Sequence, residues 1–201
     1  MKVHKALNIN GIVIYRKKIH NPHELIEAIE WVQKVSDFRK WSQVQVSHAD
    51  GTQSVSEVRT NEGLFLPPGD HISNDAREQA FVEITKIFDS HFHECIGDFT
   101  GRFAGSIGSY TSNNGYHALK YSQSQHYIPH TDDSPITQRR ISGIAYLNDD
   151  FEGGELHFTK LNIKYYPMAG DIILFPSNMP YEHAALPVTE GTKYSVVGWW
   201  L

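Results

Sequence analysis

Residues 140–158 read RISGIAYLNDDFEGGELHF and contain two short apolar runs separated by turn residues. The runs at 140–147 and 155–158 have β-strand character, while Asn148-Asp149-Asp150 and Gly153-Gly154 favour turns. Similar runs recur through the second half of the chain, at residues 116–121, 126–130, 171–175 and 194–201. Many short strands divided by turn residues are typical of a sandwich or barrel-like β-fold.

Two helices are predicted in the first half. Asn21 and Pro22 suit an N-cap and a first helical position, and an apolar face follows at Leu25, Ile26, Ile29 and Val32. The second helix begins at Asp75, with Glu78 completing a capping-box pattern, and its apolar stripe extends to Gly97. Residues 97–114 are predicted to form a loop and a candidate lid. Because helices precede strands, we expect an α+β fold with helices packed on one face of a β-core.

Length and composition narrow the classes of protein to consider. The chain has 201 residues, with 18 Lys and Arg against 23 Asp and Glu, and a net charge of −5. The length predicts a single domain, in which residues 1–115 form an N-terminal elaboration and residues 116–201 a β-core. The mild acidity argues against nucleic acid or membrane as a partner. Cys95 is the only cysteine and no secretory signal is evident, so we expect a cytoplasmic protein. The oligomeric state stays open.

A metal site is indicated by Tyr127-Ile128-Pro129-His130-Thr131-Asp132-Asp133. Residues i and i+2 of a strand point to the same side, so His130 and Asp132 can offer ligand atoms to one ion. Asp133 is an alternative carboxylate, although strand geometry directs it away. A third ligand candidate, His183, follows 51 residues after Asp132. Two histidines and one carboxylate match the facial triad of non-haem Fe(II) oxygenases.

Lys193 lies ten residues after His183, at the start of the last β-run. A lysine buried in a barrel is costly unless an anion pairs with it. A dicarboxylate co-substrate could supply that anion, with one end chelating the metal and the other meeting Lys193. The alternative is a surface lysine beside the Gly191 turn.

The joint pattern of His-x-Asp, a distal His and a Lys ten residues later resembles the Fe(II)/2-oxoglutarate-dependent dioxygenases, specifically the prolyl 4-hydroxylase type. Further segments carry the resemblance: Leu119-Lys120-Tyr121, Gln138-Arg139, Ala145-Tyr146-Leu147-Asn148, Glu152-Gly153-Gly154-Glu155-Leu156, Ala169-Gly170-Asp171-Ile172-Ile173-Leu174-Phe175, His183-Ala184-Ala185-Leu186-Pro187-Val188 and Arg59-Thr60-Asn61-Glu62-Gly63-Leu64-Phe65-Leu66. Asn61 stands where that family usually has Ser.

The resemblance implies a double-stranded β-helix, or jelly-roll, core and the hydroxylation of a prolyl residue in a peptide or protein. The implied cofactors are Fe(II), 2-oxoglutarate and O2, with ascorbate as a candidate reductant. The implied site residues are His130, Asp132 and His183 for iron, Lys193, Tyr121 and Tyr146 for 2-oxoglutarate, and Arg59, Tyr127, Arg139 and Trp199 for the substrate.

Other interpretations remain open. The same cofactor chemistry could act on another side chain, a small molecule or a nucleobase, or the chain could be a non-catalytic β-barrel binding module. Tyr121, Tyr146 and Trp199 could be core aromatics, and Arg59 and Arg139 could be surface residues in salt bridges.

Overall fold

The computed structural model describes residues 6–37, 39–47, 52–103, 115–135 and 138–201. Within these residues it contains two helices, α1 at Pro22–Val35 and α2 at Ala76–Arg102. Sixteen strands accompany them: β1 Leu7–Ile9, β2 Ile12–Tyr15, β3 Ser42–Gln43, β4 Val46–Ser47, β5 Gln53–Ser54, β6 Glu62–Leu66, β7 Tyr116–Tyr121, β8 Tyr127–His130, β9 Ile141–Tyr146, β10 Glu152–Gly153, β11 Leu156–Phe158, β12 Ile163–Tyr165, β13 Ile172–Pro176, β14 His183–Ala185, β15 Val188–Glu190 and β16 Lys193–Trp200.

Two antiparallel sheets form the β-core. The major sheet has the strand order β1-β2-β13-β9-β16-β7-β6-β3, and the minor sheet has the order β12-β11-β14-β8. The pairs β10-β15 and β4-β5 form separate two-stranded ladders. Leu119 and Ile144 of the major sheet and Leu156 and Phe158 of the minor sheet belong to one buried cluster between the sheets. This arrangement is a jelly-roll core, which confirms the predicted fold class.

Both helices pack against the major sheet on the face opposite the minor sheet. Leu25 and Ile29 of α1 and Phe92 of α2 belong to the same buried cluster as Tyr116 and Trp200 of the sheet. The Phe92 ring centroid lies 5.3 Å from the centroids of both Tyr116 and Trp200. Burying a side chain of this size stabilises the folded state by about 1.5–3 kcal/mol, so this layer contributes strongly to stability.

The helix starts agree with the sequence, but one helix end does not. Pro22 opens α1, although the Asn21 side chain makes no capping hydrogen bond. Asp75 caps α2 by accepting a hydrogen bond from the Arg77 backbone N–H. The predicted loop at 97–114 is wrong for residues 97–102, because α2 continues to Arg102. Residues 104–114, and with them the predicted lid, lie outside the described residues.

The first half of the chain also contributes strands to the major sheet. Strand β2 pairs with β13, and β6 pairs with β7. The division into residues 1–115 and 116–201 stays a prediction. Among the described helices, none is both long and apolar enough to cross a membrane.

Candidate active site

The three predicted metal ligands converge at one end of the minor sheet. His130 ends β8 and pairs in register with His183 of β14. The backbone N–H groups of Asp132 and Asp133 both donate to the Ser177 carbonyl at 3.1 Å, which fixes the turn after β8. The ligand atoms of His130, Asp132 and His183 all lie within 4.8 Å of one another. The group contains Asp132 rather than Asp133, as strand geometry favoured.

Backbone carbonyls orient both imidazole rings for metal binding. The Nδ1 atom of His130 lies 2.9 Å from the Ile128 carbonyl oxygen, and Nδ1 of His183 lies 3.0 Å from that of Tyr181. A carbonyl oxygen only accepts, so each Nδ1 carries the proton and donates it. The Nε2 lone pairs are therefore available for metal binding. The Nε2 atoms of His130 and His183 lie 3.6 and 3.7 Å from the Asp132 carboxylate oxygens.

Protonation states in the triad also suit a divalent cation. Burial, together with the nearby His130, lowers the pKa of His183 to about 4. Burial alone would raise the pKa of Asp132, but His183, His130 and the Ser142 hydroxyl together hold it well below its usual range. At neutral pH the site therefore offers a neutral imidazole at His183 and an ionised carboxylate, the forms that bind metal.

Lys193 lies in the same cavity as the triad, at the start of β16. Its side chain is buried, with the residue 3% exposed, which excludes the alternative of a surface lysine. Its Nζ atom donates to the Gly154 carbonyl at 2.7 Å and lies 4.3 Å from the Tyr121 ring centroid. Burial lowers the pKa of Lys193 to about 7. An anion bound beside it would favour the charged ammonium.

Tyr121 and Tyr146 both line this cavity and also belong to the buried cluster between the sheets. Each of these tyrosines therefore both packs in the core and lines the cavity. Burial raises the pKa of Tyr121 to about 12 and also raises the pKa of Tyr146. Both phenols are neutral at physiological pH and can donate to an anionic ligand.

The four predicted substrate contacts, Arg59, Tyr127, Arg139 and Trp199, line the cavity as well. The Tyr127 ring stacks on the His130 imidazole with centroids 3.6 Å apart. Each arginine lies over an aromatic ring. Neither arginine forms an ion pair with any other described residue, so the predicted alternative of surface salt bridges has no support there.

Ser142 is a site residue that the sequence reasoning missed. Its hydroxyl donates to Asp132 Oδ2 at 2.6 Å, and its oxygen lies 2.8 Å from the Ser177 hydroxyl oxygen. Both serines are buried. A hydroxyl within the otherwise apolar β9 is the signal that could have found it, because a buried hydroxyl requires a hydrogen-bond partner.

Part of the chain is similar in sequence to known proteins. Residues 116–201 match the family model of the 2OG-Fe(II) oxygenase superfamily. The chain is 37% identical over 68 residues to human prolyl 3-hydroxylase 3, covering 31% of this chain and 9% of that protein. It is 34% identical over 87 residues to a PKHD-type hydroxylase of Idiomarina loihiensis, covering 40% and 38% of the two chains. The chain thus spans well under half the length of these curated relatives.

A solved structure extends the similarity to the whole fold. The prolyl hydroxylase of Trichoplax adhaerens, in complex with a hypoxia inducible factor peptide fragment, superposes with a TM-score of 0.70 at 20% identity. The alignment covers 97% of this chain and 85% of that one. At this identity the likeness concerns the fold.

Residues 116–201 are therefore similar to the 2OG-Fe(II) oxygenase superfamily, whose cofactors are Fe(II), 2-oxoglutarate and O2. The relatives and the solved structure that the chain resembles are prolyl hydroxylases and a PKHD-type hydroxylase, in agreement with the resemblance noted from its motifs. The observed donor set fits Fe(II), because the coordinating atoms of two imidazoles and one carboxylate all lie within 4.8 Å of one another. The buried ammonium of Lys193 fits a dicarboxylate.

Proposed function

We propose that this protein is a 2-oxoglutarate-dependent dioxygenase that hydroxylates a prolyl residue of a peptide or protein, at the 4-position of the ring. The observation that carries the proposal is a single cavity lined by His130, Asp132, His183 and Lys193. The prolyl hydroxylase relatives and the peptide complex of the Trichoplax adhaerens protein support a peptide substrate.

In this proposal His130, Asp132 and His183 hold Fe(II), which supplies the O2 chemistry that hydroxylates an unactivated C–H bond. Ser142 keeps the Asp132 carboxylate oriented through its hydrogen bond. Lys193 binds the far carboxylate of 2-oxoglutarate, and the phenols of Tyr121 and Tyr146 assist it. These groups fix the direction in which the co-substrate enters.

The remaining cavity walls exclude water and hold the substrate. Leu119, Ile144, Leu156 and Val197 line the cavity, and their apolar side chains keep the reacting groups dry. Arg59, Tyr127, Arg139 and Trp199 form the substrate side of the site in this proposal.

The test supplies purified protein with Fe(II), 2-oxoglutarate, ascorbate and air, together with a panel of peptides that contain proline. We expect peptide-stimulated release of succinate and a peptide product heavier by one oxygen atom. Fragment-ion mass spectrometry locates the oxygen on proline, and comparison with hydroxyproline standards assigns the ring position. His183→Ala serves as the inactive control, and omission of ascorbate tests its role as reductant.

The outcome separates two parts of the proposal. If compounds without proline stimulate succinate release and no proline peptide does, the dioxygenase chemistry stands and the prolyl substrate is wrong. If anaerobic titration detects no Mn(II) binding to the wild-type protein, the catalytic assignment itself is wrong.

A further inference from the structure

Two guanidinium groups flank the cavity, and each lies on an aromatic ring. The Arg59 Cζ atom lies 4.5 Å from the Tyr127 ring centroid, and the Arg139 Cζ atom lies 3.7 Å from the Trp199 centroid. Both arginines line the cavity that holds the metal ligands. An aromatic ring stabilises a guanidinium that lies over it, but it supplies no carboxylate to pair with the N–H donors.

Among the residues that the structure describes, Arg59 and Arg139 lack the ion pairs with carboxylates that several other arginines of the chain form. Arg16, Arg39 and Arg102 each pair with a carboxylate. Within the described part of the chain, neither Arg59 nor Arg139 has such a pair, although both are half-buried. A partly desolvated cation without a counter-ion is an unfavourable arrangement that an anionic ligand would relieve.

The two positive charges also lie close enough to influence each other. Burial lowers the pKa of Arg139; Asp132 opposes this shift, and Arg59 adds to it. His117 also senses both arginines, since burial, Arg59 and Arg139 lower its pKa to about 4. The cavity lining therefore includes the two cations, and the neutral His117 imidazole lies close enough to sense both.

Asn61 fixes the position of Arg59. The Asn61 side chain is fully buried, its Oδ1 accepts from Arg59 Nε at 3.1 Å, and its Nδ2 donates to the Glu62 carbonyl at 2.9 Å. With Nε held by Asn61, recognition of a ligand falls to the terminal Nη atoms of Arg59. Paired Nη donors are suited to the two oxygens of a carboxylate.

We propose that the substrate carries a carboxylate next to the residue that is hydroxylated, that Arg59 and Arg139 bind this carboxylate together, and that Asn61 is a positioning residue for Arg59. The inference rests on the proposed function and adds a substrate class to it. The carboxylate has two candidate sources: an Asp or Glu side chain beside the proline, or the C-terminal carboxylate of a peptide that ends in proline.

The experiment measures peptide binding without turnover, on protein loaded with Mn(II) and 2-oxoglutarate. Blocked peptides place Asp, Asn or Lys immediately before or after a single proline, and a second pair ends in proline as a free acid or as an amide. We expect Asp to bind about tenfold more tightly than Asn in at least one position, or the free acid more tightly than the amide, as for one charged hydrogen-bonded pair. The preference should weaken as salt is raised.

Variants show whether the preference for acidic peptides comes from Arg59 and Arg139 or from the positive charge of any nearby arginine. Asn61→Asp keeps the side-chain shape but places a carboxylate against Arg59, so it should reduce the preference for acidic peptides to less than about threefold. Arg139→Gln should reduce the same preference. Arg140→Gln is the matched control, because Arg140 is exposed and does not line the cavity, and it should keep the preference. Circular dichroism melts and Mn(II) affinity verify that each variant is folded.

The results distinguish this inference from the proposed function. Equal binding of acidic and neutral peptides in every arm overturns the inference, while their hydroxylation would leave the proposed function intact. A preference for the carboxylate that Asn61→Asp removes, in peptides that the Fe(II) enzyme never hydroxylates, supports the anion site and overturns the prolyl assignment. A preference that Arg140→Gln removes equally also overturns the inference.

Discussion

The protonation of Lys193 makes the affinity for 2-oxoglutarate depend on pH. Burial lowers the pKa of this ammonium from 10.5 to about 7. At about 1.4 kcal/mol per unit, the charged form is disfavoured by about 5 kcal/mol relative to water. A carboxylate bound against Nζ offsets this cost and raises the pKa again, so Lys193 is charged in the complex.

The sign of the pH dependence follows directly. Below pH 7 Lys193 is protonated with and without ligand, so the affinity is constant. Above pH 7 the free protein has lost the proton, and binding must take one up. The affinity should then fall by up to about tenfold per pH unit, or about 100-fold between pH 7 and pH 9.

Isothermal titration calorimetry of the Mn(II)-loaded protein measures this linkage. Titrations in two buffers of different ionisation enthalpy count the protons taken up, which should rise from near zero at pH 6 toward one at pH 9. The control ligand is 2-oxopentanoate, which keeps the chelating end and lacks the far carboxylate, and its affinity should not show this fall. An equal fall for both ligands, or no proton uptake at pH 9, would refute the role given to Lys193.

Three further predictions concern the same site and its support. Lys193→Met should raise the free energy of unfolding by up to about 5 kcal/mol at pH 6, because the wild-type protein must bury a charged ammonium there. The gain should shrink as pH rises from 7 toward 10.5, because wild-type Lys193 is then uncharged in the folded protein. Equal gains in urea unfolding at pH 6 and in the upper part of that range would contradict this. Ser142→Ala should weaken Mn(II) binding by about tenfold through loss of the bond to Asp132, and Ser142→Thr should restore it; calorimetry showing unchanged affinity in the alanine variant would exclude that role. Phe92→Ala should lower the free energy of unfolding by about 3–5 kcal/mol in urea titrations, and a loss below about 1 kcal/mol would mean that the helix layer packs differently.

The strands of residues 116–201 were predictable because turn residues mark their ends. The run predicted at 116–121 is β7 without change, and the run at 140–147 contains β9. The first strands were missed although a signal exists. Asn10 and Gly11 both have positive φ, the backbone that Asn-Gly adopts in a two-residue hairpin, and they join β1 to β2.

The end of α2 could not be predicted from local sequence. Gly97 was interpreted as a helix stop, yet α2 continues through Gly97 and Gly101, where an added Cβ would meet nothing within 4 Å. Helical glycines cost about 1 kcal/mol each, but Phe99 between them is completely buried, and its packing outweighs that cost. Tertiary contact decides the boundary.

The candidate site was also predictable only in part. His130 and Asp132 were predictable because their i, i+2 spacing is a local property of a strand, and their predicted convergence with His183 relied on the motif order. The contact of Ser142 with Asp132 depends on how β9 packs against the turn after β8, which spacing does not reveal. Arg59 and Asn61 are only two residues apart, but Arg59 precedes β6 and lies outside any regular strand, so strand periodicity did not indicate their contact. Asn61 was noted only as a departure from the family pattern.

The pairing of β2 with β13 has a consequence for how the protein acquires its structure during synthesis. Ile14 and Ile173 are register partners although they lie on the order of 160 positions apart, and such distant pairings slow folding. At about 5–20 residues per second, the ribosome needs roughly ten seconds or more to supply the partner strand. Throughout that interval the apolar segment Ile12–Tyr15 lacks the partner strand β13 with which it pairs in the folded protein.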